Sequence, residues 1–271
     1  TLEKELGENW EKEMIALNEQ APTILRANSL KTSTKHLIEE LKHENVESFQ
    51  VPGFENAVQL EEKKNVFLTS AFKDGLFEVQ DAGSQKIGEF LDVKPGMRVV
   101  DACAGAGGKT LHLAALMENK GQIIAMDIHG WKWAELKRRA KRAGAHNIET
   151  REITDNKVIK RLHEKADRLL IDAPCSGLGV LKRNPDSKWK IDQDFIDRIR
   201  KEQETILQDY SKIIKKGGKM VYATCSILPS ENNEQVENFL KNNPDFKLVK
   251  EEKVLPSTGF DGFYMALIER V

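Results

Sequence analysis

Beyond residue 84, apolar positions switch regularly between two spacings. Short apolar or β-branched runs at 98–102, 122–127, 147–153, 168–172 and 219–225 read as five strands. Segments with apolar residues three and four apart separate them, and a helix at Ser84–Leu91 ends before Pro95-Gly96. This alternation predicts a parallel sheet covered on both faces. A long helix over 191–214 carries a core stripe of Ile191, Phe195, Ile199, Ile206, Tyr210 and Ile213, and Gly217-Gly218 is expected to end it. Runs at 246–250 and 263–269 supply two more strands, the last antiparallel, so the fold class is α/β with a seven-stranded mixed, Rossmann-like sheet.

The first part of the chain has a different rhythm. Leu2, Leu6, Trp10, Met14 and Leu17 fall on one face of a predicted docking helix whose other face is acidic. A short strand at 23–28 follows, then a helix through Leu37, Ile38 and Leu41 capped by Thr32 or Ser33. Pro52-Gly53 marks a turn, and strand-like pieces lie at 57–60, 66–69 and 76–80. The expected organisation is a small N-terminal α/β unit, residues 1–75, before a larger domain, residues 76–271.

Composition narrows the class. The chain has 271 residues, a net charge of −1, 39% hydrophobic and 31% charged residues. This suits a globular protein and gives no global nucleic-acid signature. No apolar run approaches the roughly 18 residues of a membrane span, and no secretory leader is read. Three scattered cysteines, Cys103, Cys175 and Cys225, form neither a disulfide framework nor a metal motif, so no metal is expected and a reducing cytoplasm fits.

The predicted strand at 98–102 runs into Asp101-Ala102-Cys103-Ala104-Gly105-Ala106-Gly107-Gly108-Lys109-Thr110, and a helical pattern follows. Strand, glycine-rich turn and helix make a nucleotide-binding corner. A P-loop would need Gly where Cys103 stands, and a dinucleotide fingerprint would need a third glycine spacing that is missing. What remains is a corner for the adenosine and methionine parts of S-adenosylmethionine, formed by Cys103, Ala104, Gly105, Ala106, Gly107, Gly108 and Lys109. Carboxylates end each neighbouring strand. Asp127, 22 residues after Gly105, suits the two ribose hydroxyls, Asp155 the adenine amino group, and Asp172 completes the acidic lining that favours a cationic sulfonium. Lys109 offers a cation to the methionine carboxylate. Cys103 itself reads as a small buried side chain rather than a reactive thiol.

Two thiols name a possible acceptor. The fourth strand enters Asp172-Ala173-Pro174-Cys175-Ser176-Gly177 and the fifth enters Thr224-Cys225-Ser226. If these strands are neighbours, about 4.8 Å apart, both thiols share one sheet edge. C5 of a pyrimidine is a poor nucleophile until a thiolate adds to C6, which a positioned cysteine can do. Asp172 can meet the base edge, and a base must later take the C5 proton. Amino-group methylation needs no such thiol.

These segments resemble the Sun/Nop-type RNA cytosine-C5 methyltransferases. The resemblance rests on Asp101-x-Cys103-Ala104-x-x-Gly107-Gly108-Lys109-Thr110, Asp172–Gly177, Arg183-Asn184-Pro185-Asp186 with Trp189, Tyr222–Ser226 followed by Glu231-Asn232, and Leu25–Lys31 near the start. Ala106 is a departure, since many members carry Pro there. The resemblance implies a class I methyltransferase fold with an N-terminal RNA-binding unit, and S-adenosylmethionine as donor. It implies Cys225 as nucleophile and Cys175 as an aid to product release, with Asp172 beside them. Ribosomal RNA is the favoured partner, transfer RNA the second; a cytoplasmic monomer is expected. Uracil methylation, a non-catalytic RNA scaffold and a Cys175–Cys225 redox pair are the alternatives. Residues 131–144, with six cations against Glu135, and the loop Leu181–Lys190 are candidate RNA contacts, the latter pairing cations with Trp189 unless that ring joins the core.

Overall fold

A computed structural model describes residues 2–189 and 191–271; Lys190 of the predicted basic loop and the Leu2 side chain lie outside the described residues. The chain forms two compact units, one joining residues 1–21 to 153–271 and the other spanning 22–152. The predicted 75/76 boundary falls inside the second, between helix and strand.

The N-terminal segment is two helices, α1 (Leu2–Leu6) and α2 (Trp10–Leu17), rather than one. A 3-10 turn at Gly7–Asn9 interrupts them, with Gly7 at φ +56°. Leu17 is buried in an apolar cluster against which Leu6 and Met14 pack. The acidic face is not uniformly solvated. Glu13 is buried and accepts from the Ser257 backbone N–H at 2.9 Å and its hydroxyl at 2.6 Å.

In the unit 22–152, β1 (Ile24–Ala27), α3 (Thr34–His43), β2 (Ser48–Gln50), β3 (Ala57–Leu60), α4 (Ser70–Lys73) and β4 (Phe77–Val79) build an antiparallel sheet of order β2-β3-β1-β4. Of the two candidate caps, Ser33 caps α3, accepting from the His36 N–H. Leu37 and Leu41 then face a core with Leu25, Val58 and Phe77. The predicted strand at 66–69 is instead a 3-10 turn, after which Thr69 caps α4 through the Phe72 N–H. Strand β2, whose three residues are all at least partly exposed, leaves no apolar alternation to read.

The unit continues with α5 (Ala82–Phe90), β5 (Arg98–Asp101), α6 (Gly108–Leu116), β6 (Gln122–Asp127), α7 (Trp133–Ala143) and β7 (Ile148–Glu152). Strands β5, β6 and β7 run parallel, with Asp101 opposite Ala125 and Asp127 opposite Glu152. The segment after β1 ties the small sheet to α7. Asn28 donates to the carbonyls of Gly75 and Ala143, both at 2.8 Å, and Lys31 to those of Asp74 and Arg142, both at 2.7 Å.

The other unit adds α8 (Asn156–Lys160), β8 (Ala166–Asp172), α9 (Gln193–Tyr210), β9 (Ile214–Thr224), α10 (Asn233–Asn242), β10 (Phe246–Val254) and β11 (Phe263–Arg270). Its strand order is β10-β11-β9-β8; β8 and β9 are parallel neighbours with Asp172 opposite Ala223, and β11 runs antiparallel to β9 and β10. The last strand is therefore antiparallel, as expected. The buried face of α9 is Ile196, Ile199, Gln203, Leu207 and Tyr210, with Phe195 and Ile206 at its flank. It is rotated from the predicted stripe because a glutamine occupies its centre. Gly217-Gly218 lies inside β9 rather than ending a helix; Gly217 has φ +75° and the β8–β9 register shifts nearby. Among the described residues no helix is long and apolar enough to cross a membrane.

Gly75 has φ +73°, and a Cβ there would stand on the Arg142 carbonyl. Both the left-handed backbone and the close approach demand glycine. Gly75→Ala is expected to destabilise the protein by about 3 kcal/mol, from strain plus steric displacement. Chemical denaturation checks it; an unchanged midpoint would contradict the close approach.

Candidate active site

The expected site residues divide between the two units. In the unit 22–152, β5 ends at buried Asp101, which accepts from the Thr110 hydroxyl at 2.7 Å. The chain then turns through Gly105 (φ +56°) and Gly107 (φ +85°), the residue preceding α6. A Cβ at Gly107 would lie 2.7 Å from Leu136 Cγ, so the turn presses on α7. At Gly105 a Cβ would meet no atom within 4 Å, leaving an open cradle where a ligand can approach the backbone. Asp127 at the end of β6 accepts from the N–H of Gly105 and of His129, each at 2.9 Å, with Lys132 Nζ at 3.3 Å. Lys132 Nζ lies 3.3 Å from both carboxylate oxygens, so the roughly four acceptor positions are filled, and ribose hydroxyls would take the places of the long lysine contacts. Ala104 is buried and donates to the Met126 carbonyl at 2.8 Å; Cys103, Ala106, Gly108 and Lys109 are partly exposed. Cradle, carboxylate and helix N-terminus fit an adenosine-type methyl donor.

A charged cluster, whose pairing the sequence does not show, holds this corner from behind. Arg26 on β1 is buried and donates to the Gly108 carbonyl at 2.8 Å and to Gln80. Arg139 donates to the Ala106 carbonyl at 2.8 Å and pairs with buried Glu78 at 2.9 Å; Arg142 also pairs with Glu78 at 2.5 Å. Burial lowers the Arg26 guanidinium to about 9, while Glu78 opposes that shift. The sequence shows these residues as a charge inside each short strand and as part of the basic stretch 131–144, without their pairing.

In the other unit, Asp155 is exposed and caps α8, accepting from the Lys157 N–H at 2.7 Å. Asp172 ends β8, partly exposed. The expectation about neighbouring strands holds: Cys175 Sγ and Cys225 Sγ are 3.2 Å apart, both partly exposed. Their loops are joined by Glu231, whose buried carboxyl accepts from Ser176 N–H (2.8 Å), Ser176 Oγ (2.5 Å), Ser226 Oγ (2.6 Å) and Gln203 Nε2 (2.9 Å). Gln203 also donates to the Pro174 carbonyl at 2.9 Å, and the Tyr222 hydroxyl to the Glu231 carbonyl at 2.8 Å. Asn232 exchanges hydrogen bonds with Thr224 and Ser226. Gly179 N–H donates to the Cys225 carbonyl at 2.9 Å; a Cβ at Gly179 would sit 2.8 Å from that oxygen. Glu231 had stood in the sequence only as part of a motif, and Gln203 was invisible inside an apolar stripe.

The Cys175 thiol is pushed well above the ordinary range, first by its hydrogen bond with Cys225, then by burial, then by the charges of Cys225 and Glu231. Cys175 therefore keeps its proton where an ordinary thiol gives it up. Trp189 is 81% exposed with Lys188 Nζ 5.3 Å from its ring centre, so it does not join the core. Arg183 of the same loop pairs with buried Asp261.

A family model described as 16S rRNA methyltransferase RsmB/F matches residues 89–268. The chain belongs to this methyltransferase family. A second model, an RsmF/B-like ferredoxin-like domain, matches residues 1–67. The chain is 36% identical over 224 residues to a probable ribosomal RNA small subunit methyltransferase B of Bacillus subtilis, covering 82% of this chain and 50% of that one. It is 34% identical over 266 residues to a ribosomal RNA small subunit methyltransferase B of Proteus mirabilis, covering 97% and 62%. The chain thus spans half to two thirds of the length of these relatives. A solved methyltransferase homologue from Pyrococcus horikoshii superposes with a TM-score of 0.88 at 27% identity, covering 100% of this chain and 93% of that one. The fold is the Rossmann-like methyltransferase fold with its seven-stranded mixed sheet.

Because Cys225 is the largest cause of the raised Cys175 pKa, Cys225→Ala is expected to lower it toward the ordinary thiol value. Alkylation of Cys175 between about pH 8 and 9 should then rise several-fold, read residue by residue by mass spectrometry. An unchanged pH profile would show that the pair is not coupled.

Proposed function

We propose that this chain methylates C5 of a cytosine in RNA, with S-adenosylmethionine as donor and small-subunit ribosomal RNA favoured over transfer RNA. The observation that carries the reading is the contact between Cys175 and Cys225 at the ends of adjacent strands. The names of the relatives rank ribosomal RNA first. The partner is RNA, and the chain acts as a cytoplasmic monomer, its N-terminal unit (1–75) gripping RNA and residues 76–271 carrying the chemistry.

Residues 103–109 would hold the donor, Asp127 its ribose, Asp155 its adenine amino group, and Asp172 would border the site. When bound, the donor supplies an electrophilic methyl group on a sulfonium. The target base must leave any stack before a thiol can reach its C6. Cys225, as thiolate, forms a bond to C6 and shifts an electron pair toward C5, making that carbon nucleophilic. Asp172, protonated, donates to N3 and accepts from the exocyclic amino group, a pattern that uracil would reverse. Once C5 carries the methyl group, a base takes its proton, the electron pair returns, and the S–C6 bond breaks. Cys175, still a thiol, donates to the departing sulfur and stabilises it as thiolate.

Incubation with labelled donor and either 16S ribosomal RNA or transfer RNA, followed by nucleoside analysis, is expected to yield 5-methylcytosine. Cys225→Ala should abolish both methylation and any adduct that survives denaturation. Cys175→Ala should accumulate that adduct. No 5-methylcytosine from either RNA would overturn the function, and normal turnover by Cys175→Ala would overturn its role in release.

A further inference from the structure

The unit 22–152 carries an open groove of about 760 Å³ that brings residues 67–79 together with the basic stretch of α7. One wall is the turn after β3. Asn65 accepts from the Phe67 N–H, and the Thr69 hydroxyl donates to the Val66 carbonyl at 2.6 Å, so the turn is built. Yet it presents Phe67 and Leu68 to solvent at 54% and 71% exposure, with Val79 of β4 at 37%. Exposing adjacent large apolar side chains on an ordered turn is a cost that a partner can offset. The Phe67 ring meets Phe72 edge to face at 5.0 Å, and Phe72 in turn packs on Phe77 at 5.6 Å and on the Arg142 guanidinium, 3.9 Å from its ring centre.

The facing wall is α7. Glu135, Arg138, Arg139 and Arg142 sit three and four residues apart and line the groove together. Arg139 and Arg142 are fixed by Glu78, whereas Arg138 is 74% exposed with only the surface carboxylate of Glu135 beside it. Lys73 adds a fourth cation, against two carboxylates. A surplus of cations around an exposed aromatic ring matches a polyanion with flat, stackable groups. It does not match an apolar peptide, which would gain nothing from the charge.

We propose that this groove binds an unpaired segment of the substrate RNA, one base stacking on Phe67 while Arg138 and Lys73 meet the flanking phosphates. The proposal rests on RNA being the substrate. It assigns the basic face of α7 a use, and makes residues distant in sequence, 67 and 138, one contact surface. Duplex RNA would not engage it, because paired bases hide their faces.

Fluorescence anisotropy with a short labelled single-stranded RNA of mixed sequence, and the same strand annealed to its complement, tests this on the full chain. Phe67→Ala is expected to weaken single-strand binding about ten-fold and leave duplex binding unchanged, with Phe67→Tyr restoring it. Arg138→Ala with Lys73→Ala should reduce the salt dependence by about two phosphate contacts, roughly 0.7 in log–log slope for each. Loss of the edge-to-face contact with Phe72 should lower thermal stability slightly, and unchanged duplex binding separates that loss from the loss of stacking. Equal single-strand affinity in Phe67→Ala, equal loss on duplex, or self-association abolished by Phe67→Ala would each overturn the proposal; the last would make a second copy the occupant. Wild-type protein that methylates RNA while Phe67→Ala neither binds nor methylates differently condemns the groove alone. Wild-type protein that neither binds nor methylates any RNA condemns the function as well.

Discussion

The thiol site depends on one buried carboxyl. Glu231 collects four hydrogen bonds from the loops that follow β8 and β9 and from α9. A charged group out of water is tolerable only when its oxygens are nearly saturated by donors. That requirement is what fixes Ser176 and Ser226, and each serine is the residue directly after a cysteine. The sulfur separation is thus set by the residues beside the thiols. Removing the carboxyl would take the acceptor from two hydroxyls, the Ser176 backbone N–H and the Gln203 amide, a loss of several kcal/mol spread over both loops and α9.

The glycine corner is held by the same physics from another direction. Arg26 and Arg139 donate to the carbonyls of Gly108 and Ala106, and Glu78 pairs with Arg139 and Arg142. Flexible glycines give the turn its shape, and a buried ion cluster removes the freedom that glycine would otherwise keep. Glycine corner and thiol pair are thus each held by polar side chains buried behind them.

The strand order around β8 and β9, the thiol pair and the glycine corner were all legible in the sequence, because β-branched runs and glycine spacing have local causes. Trp189 was left open, since exposure of a single ring has no local signature. The buried polar scaffold was not legible. Gln203 sits where an apolar pattern was expected, and Glu13 lies on a face that reads as solvated. Arg26 and Glu78 interrupt apolar strands without announcing their partners, which lie 82 and 61 residues away. Hydrophobic periodicity reports which face is inside. It is silent about which inside positions must be polar, because that depends on donors and acceptors supplied from remote segments.

The N-terminal helix has a consequence in time. Glu13 and Ser257, which gives it both its hydrogen-bond donors, are separated by 244 residues. A ribosome adds roughly 5–20 residues each second. For many seconds after Glu13 is made, then, α2 waits for the residues that will receive it. Only when residue 257 has emerged can α2 dock onto it.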